Sequence, residues 1–260
     1  MTSAAPNQVA WVTGGSHGIG RAVAVALISA GMDVVISARS GGDVARAAHD
    51  VDPGGQRTLG LTCDVSNEGQ VKDAFASAIE RFRRVDVLIN NAGFAESAPF
   101  VSTDTALWDK TIAVNLTGTY YCTRAVLPAM IERRHGRIIN IASSAARMGF
   151  AYTAAYCAAK HGVLGLTRSL AVEVAGKGIT ANAVCPGWVD TRMTEGSIRR
   201  IVEKTGRSEA EARQSLENMN PLGRLIQPEE VAAVVRFLAG PDASGITGQA
   251  YGVDGGEVVA

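Results

Sequence analysis

The sequence predicts an α/β protein with a doubly wound parallel sheet, and three observations support this fold class. Short runs rich in Val and Ile alternate with longer Ala-rich segments of helical character along the chain. Most of the short runs are apolar at every position, which is typical of strands buried on both faces of a parallel sheet. The segments between them are long enough to be crossover helices, and strand followed by helix, repeated, is the doubly wound pattern.

Seven strands and a set of crossover helices follow from the apolar runs. Strands are predicted at 9–12, 33–37, 57–63, 86–90, 136–142, 179–184 and 248–253. Helices are predicted at 18–30, 67–83, 104–133, 154–175 and 228–239. Neither a linker nor an internal repeat interrupts this order, so we expect a single domain over residues 1–260.

Residues 191–227 make a long excursion before the last strand, with two helical pieces. The first piece carries Ile198 and Val202 on one face, and the second opens with the capping box Ser208-x-x-Glu211. We expect this segment to be a helical lid over a substrate site.

Composition argues against several kinds of partner. Lys plus Arg and Asp plus Glu number 25 each, so the zero net charge gives no general attraction for nucleic acid or an anionic membrane. The stretch MTSAAPNQ lacks the features of a signal peptide, and no long apolar run follows. We therefore expect a cytoplasmic protein. A metal site is not expected, because the cysteines are widely spaced and form no CxxC pair. They are Cys63, Cys122, Cys157 and Cys185.

A glycine-rich turn, TGGSHGIG, follows the first strand with the spacing G-x3-G-x-G. Such a turn lets the backbone approach a pyrophosphate, and the next helix offers it free N–H groups and a partial positive charge. The position between an apolar strand and an Ala/Val helix favours dinucleotide binding over a mere tight connection. The candidate contacts are Gly14, Gly15, Ser16, His17, Gly18, Ile19 and Gly20.

Tyr156 and Lys160 lie four positions apart in an alanine-rich helix and therefore share one face. They are either solvated surface residues or a chemical pair. In the second case the ammonium group favours the phenolate and lowers the tyrosine pKa from its ordinary value of about 10. Such a tyrosine would be a usable general acid–base.

The order of several motifs resembles that of the short-chain dehydrogenase/reductase family. The motifs are the glycine turn, NNAG at 90–93, Asn115, Ser143, the Tyr156 and Lys160 pair, and PG at 186–187. The resemblance runs from Val9 to the ITGQAYGVDGG segment near the C-terminus. It implies a Rossmann-like fold, a homotetramer, and hydride transfer between a nicotinamide and a carbonyl or carbinol carbon.

The resemblance also implies four catalytic roles. Tyr156 would give or take the hydroxyl proton, and Ser143 would hydrogen-bond the same substrate oxygen, with Ser144 as the competing serine. Lys160 would lower the pKa of Tyr156 and bind the nicotinamide ribose hydroxyls. Asn115 would hold a water that connects Lys160 to solvent.

The end of the second strand indicates which nicotinamide cofactor is used. An NAD enzyme carries an acidic residue there for the ribose 2′-hydroxyl, whereas this chain has Ala38 followed by Arg39. A guanidinium group can hold a 2′-phosphate through two N–H bonds. We therefore expect NADP(H), with NAD(H) as the alternative. His17 stands where many NADP-linked relatives have Arg or Lys, and it is mostly neutral at pH 7.

The remaining cofactor contacts implied by the resemblance follow later strands. Asp64 and Val65 would flank the adenine, although Asp64 could instead be a helix N-cap. The ribose and the nicotinamide end would be covered by Asn91, Ala92, Gly93, Pro186, Gly187, Val189 and Thr191.

The substrate wall is expected to be mainly apolar. Its candidates, each of which could equally belong to the core, are Phe94, Ala95, Met148, Phe150 and Trp188. The lid is similar in length to those of hydroxybutyrate dehydrogenases and of polyketide and 3-oxoacyl reductases. Small-carboxylate enzymes of the family use polar groups where this chain has Ala95 and Ser144, which favours a 3-oxoacyl thioester or related ketone.

Two questions stay open at this stage. Arg199, Arg200 and Lys204 on the lid could meet the phosphates of a CoA or carrier-protein arm, or could be surface charge. The same fold could also serve an NAD(H)-dependent alcohol or hydroxy-acid dehydrogenase, or a non-catalytic cofactor-binding regulator.

Overall fold

Seven parallel strands form one sheet in the order β3-β2-β1-β4-β5-β6-β7. The computed structural model describes residues 7–259, so most of the MTSAAPNQ stretch lies outside the described residues. The strand order reverses between β1 and β4, which confirms the predicted doubly wound topology. The strands are β1 Val9–Thr13, β2 Asp33–Ala38, β3 Thr58–Thr62, β4 Val87–Asn90, β5 Gly136–Ile141, β6 Ile179–Pro186 and β7 Ala250–Val253.

Helices cover both faces of this sheet. Val23 and Leu27 pack on one face with Val235, whereas Val126 and Val174 pack on the other. Since β1, β4, β5 and β6 are buried along their whole length, their continuous apolar runs are explained. The α-helices are α1 Gly18–Ser29, α2 Gly41–Val51, α3 Glu68–Phe82, α4 Thr105–Ile112, α5 Gly118–Arg133, α6 Ala154–Val174, α7 Arg192–Thr205, α8 Glu209–Glu217 and α9 Pro228–Ala239.

Two helical features differ from the sequence prediction. The segment 104–133 is not one helix, because the π-helical turn Ala113–Thr117 separates α4 from α5. Such a turn changes the hydrogen bonding of the backbone and leaves little trace in the apolar period. Helix α2 was not among the predicted helices. It begins at a pair of glycines, which are poor helix formers, but Ser40 caps it by accepting a hydrogen bond from the Asp43 N–H at 3.3 Å.

The segment 191–227 contains α7 and α8, which share a small apolar cluster with Trp188 beside it. The predicted capping box is present: the Ser208 N–H donates to Glu211 Oε2 at 2.9 Å, and the Glu211 N–H donates to Ser208 Oγ at 3.3 Å. The segment rejoins the sheet edge where Ile226 pairs with Val189.

The structure also bears on the predicted absences. Over residues 7–259, no helix is both long and apolar enough to cross a bilayer. In the same part of the chain, no three His, Cys, Asp or Glu side chains group to hold a metal ion. The four cysteines are free thiols, of which Cys157 is half-buried and the other three are buried.

Candidate active site

The carboxyl ends of four neighbouring strands place the candidate residues at one edge of the sheet. The glycine turn follows β1, residues 91–93 follow β4, Ser143 follows β5, and Gly187 follows β6. This edge, beside the point where the strand order reverses, is where ligands bind in open α/β sheets.

The serine, tyrosine and lysine of the sequence motifs meet beside the end of β5. Ser143 begins a short 3-10 turn and accepts a hydrogen bond from the Ala145 N–H at 3.1 Å. Lys160 is buried on α6 and donates from Nζ to the Ile141 carbonyl oxygen at 2.8 Å. The same Nζ lies 5.6 Å from the centre of the Tyr156 ring.

Burial dominates the titration of this pair. Desolvation raises the pKa of Tyr156 to about 12, although the interaction with Ser143 acts in the opposite direction. Desolvation lowers the pKa of Lys160 to about 8. The expectation that Lys160 lowers the tyrosine pKa is therefore wrong for this structure. The Lys160 ammonium is held by the Ile141 carbonyl oxygen and faces the Tyr156 ring, and the groups that shift the tyrosine pKa beside burial are Ser143 and Cys157.

Asn115 is buried in the π-helical turn and fixes the segment that follows β4. Its Nδ2 donates to the carbonyl oxygens of Phe94 at 2.7 Å and Thr111 at 2.9 Å, while its Oδ1 accepts from the Phe94 N–H at 3.3 Å. A Cβ at Gly93 would lie 3.2 Å from Asn115 Oδ1 and 4.0 Å from Lys160 Nζ. Asn115 and Lys160 thus both approach Gly93. Both amide N–H groups of Asn115 already donate to backbone carbonyl oxygens.

The glycine turn packs tightly against the segment after β4. Gly14 has φ 63°, and a Cβ there would lie 2.8 Å from Ala92 Cα. Asn91 Nδ2 supports the turn by donating to the carbonyl oxygens of Thr13 at 2.9 Å and Gly14 at 3.0 Å.

Helix α1 begins at Gly18 with no side-chain cap, because the His17 ring contacts Ser16 Oγ at 2.9 Å instead. A Cβ at Gly18 would lie 3.1 Å from Thr191 Cγ2, so the turn also faces the start of the lid. An uncapped helix start behind a turn whose glycines carry no side chains fits the pyrophosphate of a dinucleotide. Ile19, in the first turn of α1, is half-buried and packs on the core.

The residues expected near the adenine lie at the ends of β2 and β3. Arg39 is exposed, and within residues 7–259 it forms no ion pair with a carboxylate. Asp64 Oδ1 accepts from the Ser66 N–H at 2.9 Å, whereas α3 is capped by Asn67, so Asp64 is not a helix N-cap. Val65 is buried against Gly118, where a Cβ would lie 2.7 Å from Val65 Cγ2.

A depression beside the glycine turn contains three arginines that the sequence reasoning missed, Arg21, Arg46 and Arg192. Arg46 belongs to the unpredicted helix α2, and Arg192 directly follows Thr191, which is the signal that could have drawn attention to it. The depression is lined by Ser16, His17, Gly18, Arg21, Asp43, Arg46, Ala47, Asp50 and Arg192.

The nicotinamide side is built from the end of β6. Pro186 ends the strand and pairs with Val253, and the Gly187 N–H donates to the Val253 carbonyl oxygen at 3.2 Å. Val189 is buried, and its carbonyl oxygen accepts the hydroxyl of Thr194 at the start of α7.

The candidate substrate residues divide into two groups. The first group contacts cations or the lid. Lys110 Nζ lies 4.0 Å from the centre of the Phe94 ring. From the lid, Arg200 Nη2 lies 3.5 Å from the Ala95 carbonyl oxygen. Trp188 packs against the apolar cluster of the lid. Met148 is 38% exposed and Phe150 is half-buried, and both lie on the segment before α6.

Comparisons with known proteins agree with this geometry. The family model described as enoyl-(acyl carrier protein) reductase matches residues 14–257. A 3-oxoacyl-[acyl-carrier-protein] reductase of Synechocystis sp. is 40% identical over 97% of this chain and 97% of the relative. The granaticin polyketide synthase putative ketoacyl reductase 1 of Streptomyces violaceoruber is 39% identical over 97% and 93%.

A solved structure has the same fold. It is a tryptophan variant of the actinorhodin polyketide ketoreductase with NADPH, and it superposes with a TM-score of 0.93 at 39% identity, covering 96% of each chain. The match extends over nearly the whole of both chains, as do the matches in sequence. The chain therefore belongs to the short-chain dehydrogenase/reductase family.

Proposed function

We propose that this oxidoreductase transfers a hydride between NADP(H) and the carbonyl or secondary-alcohol carbon of a 3-oxoacyl thioester or related ketone. The observation that carries the proposal is the meeting of Ser143, Tyr156 and buried Lys160 at the sheet edge that also bears the glycine turn. If Tyr156 and Lys160 were solvated surface residues, the lysine ammonium would be exposed. Instead it is buried beside the glycine turn, which is unusual for lysine and typical of a functional site.

The chain's own residues hold the substrate oxygen and move the proton. A bound nicotinamide would supply the hydride to carbon. Tyr156, whose raised pKa keeps it protonated at neutral pH, donates the proton to the carbonyl oxygen in the reduction direction. Ser143 donates a hydrogen bond to the same oxygen. Lys160 binds ribose hydroxyls and returns the proton to Tyr156, and the remaining lone pair of Asn115 Oδ1 accepts a hydrogen bond from a relay water.

NADP(H) is supported by the side chain after β2. Arg39 is exposed and free of a carboxylate partner among residues 7–259, so its guanidinium is open to a 2′-phosphate. The related ketoreductase whose structure is similar is described with NADPH. NAD(H) is the alternative cofactor, and it would leave the Arg39 guanidinium without a phosphate to bind.

The substrate class rests on the wall and on the relatives. Phe94 and Trp188 give an apolar surface, and segment 191–227 forms a lid of the single domain that we propose for residues 1–260. The two sequence relatives are named as reductases of 3-oxoacyl or ketoacyl groups. A thioester arm would leave the site between the lid and the segment after β4.

The deciding experiment measures cofactor oxidation against product. Purified protein is given NADPH or NADH with 3-oxoacyl-CoA, a 3-oxoacyl carrier protein, a neutral cyclic ketone, a short keto acid or an enoyl-CoA. We expect stoichiometric conversion of the 3-oxoacyl thioester with NADPH. Turnover of the enoyl-CoA alone would indicate double-bond reduction instead. Tight NADPH binding without turnover of any carbonyl compound would favour the cofactor-binding regulator.

We also propose a cytoplasmic homotetramer, with helices of segments 104–133 and 154–175 pairing across two-fold axes. Exposed apolar side chains on these segments support such contacts: Trp108 is 40%, Tyr120 43% and Val172 83% exposed. Light scattering at micromolar concentration measures the mass, and a monomer would contradict the proposal. The cytoplasmic location is supported by four cysteines that form no disulfide.

A further inference from the structure

A buried carboxyl group that the proposed mechanism does not use lies behind the active site. The chain turns at Gly255 and Gly256, whose φ angles are 65° and 85°, and carries Glu257 back toward the end of β6. A Cβ at Gly187 would lie 2.9 Å from Glu257 Oε2 and 3.1 Å from Asp254 Cα. The carboxyl group of Glu257 is therefore packed directly on the backbone of Gly187.

No cation forms an ion pair with this carboxyl group in the described part of the chain. Glu257 Oε1 and Oε2 are both buried without a hydrogen-bond partner among residues 7–259, and so is Asp254 Oδ2. An unpaired buried carboxylate is costly, whereas the protonated acid is tolerated. Burial raises the pKa of Glu257, the Ser144 hydroxyl lowers it in part from beyond close hydrogen-bond contact, and the charge of Asp254 raises it.

The groups that face Glu257 belong to three parts of the fold. Asp254 comes from the same C-terminal segment, the Ser144 hydroxyl from the 3-10 turn, and the Gly187 backbone from the end of β6. Arg147 lies on the side of Asp254 that faces Gly252, and the two form no ion pair among residues 7–259. Arg147 Nη1 and Asp254 Oδ2 lie 3.3 Å and 3.2 Å from the position of a Cβ at Gly252.

The Cys185 thiol on β6 also feels the charges of Asp254 and Arg147, and burial raises its pKa. It therefore stays a neutral thiol near pH 7 and adds no negative charge beside Glu257.

We propose that Glu257, in its uncharged form, is a positioning residue that holds the Ser143–Ser144 turn and the Gly187 backbone in their places around the bound nicotinamide. Its carboxyl group touches the backs of both segments and not the reacting atoms. Because Ser143 donates to the substrate oxygen and Gly187 lines the nicotinamide side, a shift of either segment would weaken the cofactor and slow the reaction. This inference rests on the proposed function for its kinetic part only.

The first test asks whether the carboxyl group holds its proton. In protein labelled with ¹³C at the side-chain carboxyl of glutamate, the signal missing from Glu257→Gln identifies Glu257. We expect its titration midpoint above the ordinary glutamate value of 4.5. A midpoint at or below that value would overturn the proposal whether or not the protein reduces any ketone.

The second test compares Glu257→Gln with Glu257→Ala, using NADPH affinity from fluorescence titration and kcat from turnover. Gln keeps the shape of the neutral acid, so we expect both values within about twofold of wild type, whereas Ala should lower kcat by about tenfold. Wild-type affinity and kcat should decline as pH rises through the measured midpoint, and Glu257→Gln should not show that decline. Glu80→Gln on the exposed face of α3 is the control for a lost surface charge.

Each other result has a definite meaning. The positioning role would be overturned if the Gln and Ala variants lost kcat and NADPH affinity equally. It would also be overturned if the Ala variant had a lower Tm but unchanged kcat and NADPH affinity. If wild type binds NADPH but turns over no ketone, the proposed function fails, and the pH dependence of NADPH affinity in the two variants still decides the role of Glu257.

Discussion

Lys160 donates a 2.8 Å hydrogen bond to the Ile141 carbonyl oxygen, which lies at the end of a fully buried strand. The bond ties helix α6 to β5 and satisfies one of the three donors of an otherwise desolvated ammonium group. The same Nζ lies 4.0 Å from the position of a Cβ at Gly93 and 5.6 Å from the centre of the Tyr156 ring. The lysine is thus positioned by the core of the sheet, and its position does not depend on the tyrosine.

Tyr156→Phe should nearly abolish turnover while leaving a folded protein. Removing the hydroxyl removes the proton donor, and loss of a general acid–base costs about 10²–10⁴-fold in kcat. Tyr152→Phe, on a tyrosine that is 66% exposed and four positions earlier, should leave kcat unchanged. Circular dichroism and steady-state kinetics check both variants. A Tyr156→Phe enzyme with the wild-type rate would rule out the acid–base role.

Ketone reduction should decline as pH rises through about 8, the pKa of Lys160. Tyr156, with a pKa of about 12, stays protonated there and does not set this limb. The kcat/KM profile of the wild type should show the limb, and the residual activity of Lys160→Ala should lack it.

The titration of Lys160 does not destabilise the fold over the pH range of that decline. The folded pKa of Lys160 lies below its ordinary value of 10.5, so between about 8 and 10.5 the unfolded state binds more protons at this group. The contribution of Lys160 to stability therefore rises with pH in this window. Thermal melts of wild type and Lys160→Ala at both ends of the window measure that contribution, which should have the opposite sign to the loss of activity.

Arg39→Ala should weaken NADPH by about 10- to 100-fold and NADH hardly at all, because only NADPH has a 2′-phosphate to receive charge-assisted hydrogen bonds. Arg236→Ala, on the exposed side of α9, is the matched control for a lost arginine. Fluorescence titration gives both dissociation constants. Equal weakening of the two cofactors would show that Arg39 does not read the phosphate.

The sequence predicts the sheet and the order of the site motifs well because both depend on local patterns. A continuous apolar run such as 136–142 is typical of a strand buried on both faces of a sheet. The glycine spacing of the turn that ends at Gly20 is typical of a backbone that approaches a pyrophosphate closely. Long-range packing explains what was missed. The tyrosine pKa depends on burial by distant segments, and the position of Glu257 behind Gly187 depends on the fold of the C-terminal segment. The π-helical turn around Asn115 has no composition signal of its own.

The three lid cations should not act alike, because the structure separates them. Arg199 and Lys204 are exposed, whereas Arg200 is half-buried, with Nη2 3.5 Å from the Ala95 carbonyl oxygen and Nε without a partner among residues 7–259. A long-range attraction for the phosphates of a CoA arm would come from the exposed pair and would be screened by salt. A contact made inside the cleft by Arg200 would be screened much less.

We therefore expect Arg200→Ala to raise KM for 3-oxoacyl-CoA by about tenfold at low and high salt alike, the loss of one hydrogen bond to a charged group. The double variant Arg199→Ala, Lys204→Ala should raise KM by about two- to threefold, and only at low salt. A neutral cyclic ketone, which has no phosphate arm, should be insensitive to the double variant. Equal KM shifts from Arg200 and from the exposed pair would mean that the lid acts only through its net charge. If neither substrate responds to any of the three changes, the lid cations are solvated surface, and specificity must come from the apolar wall of Phe94 and Trp188.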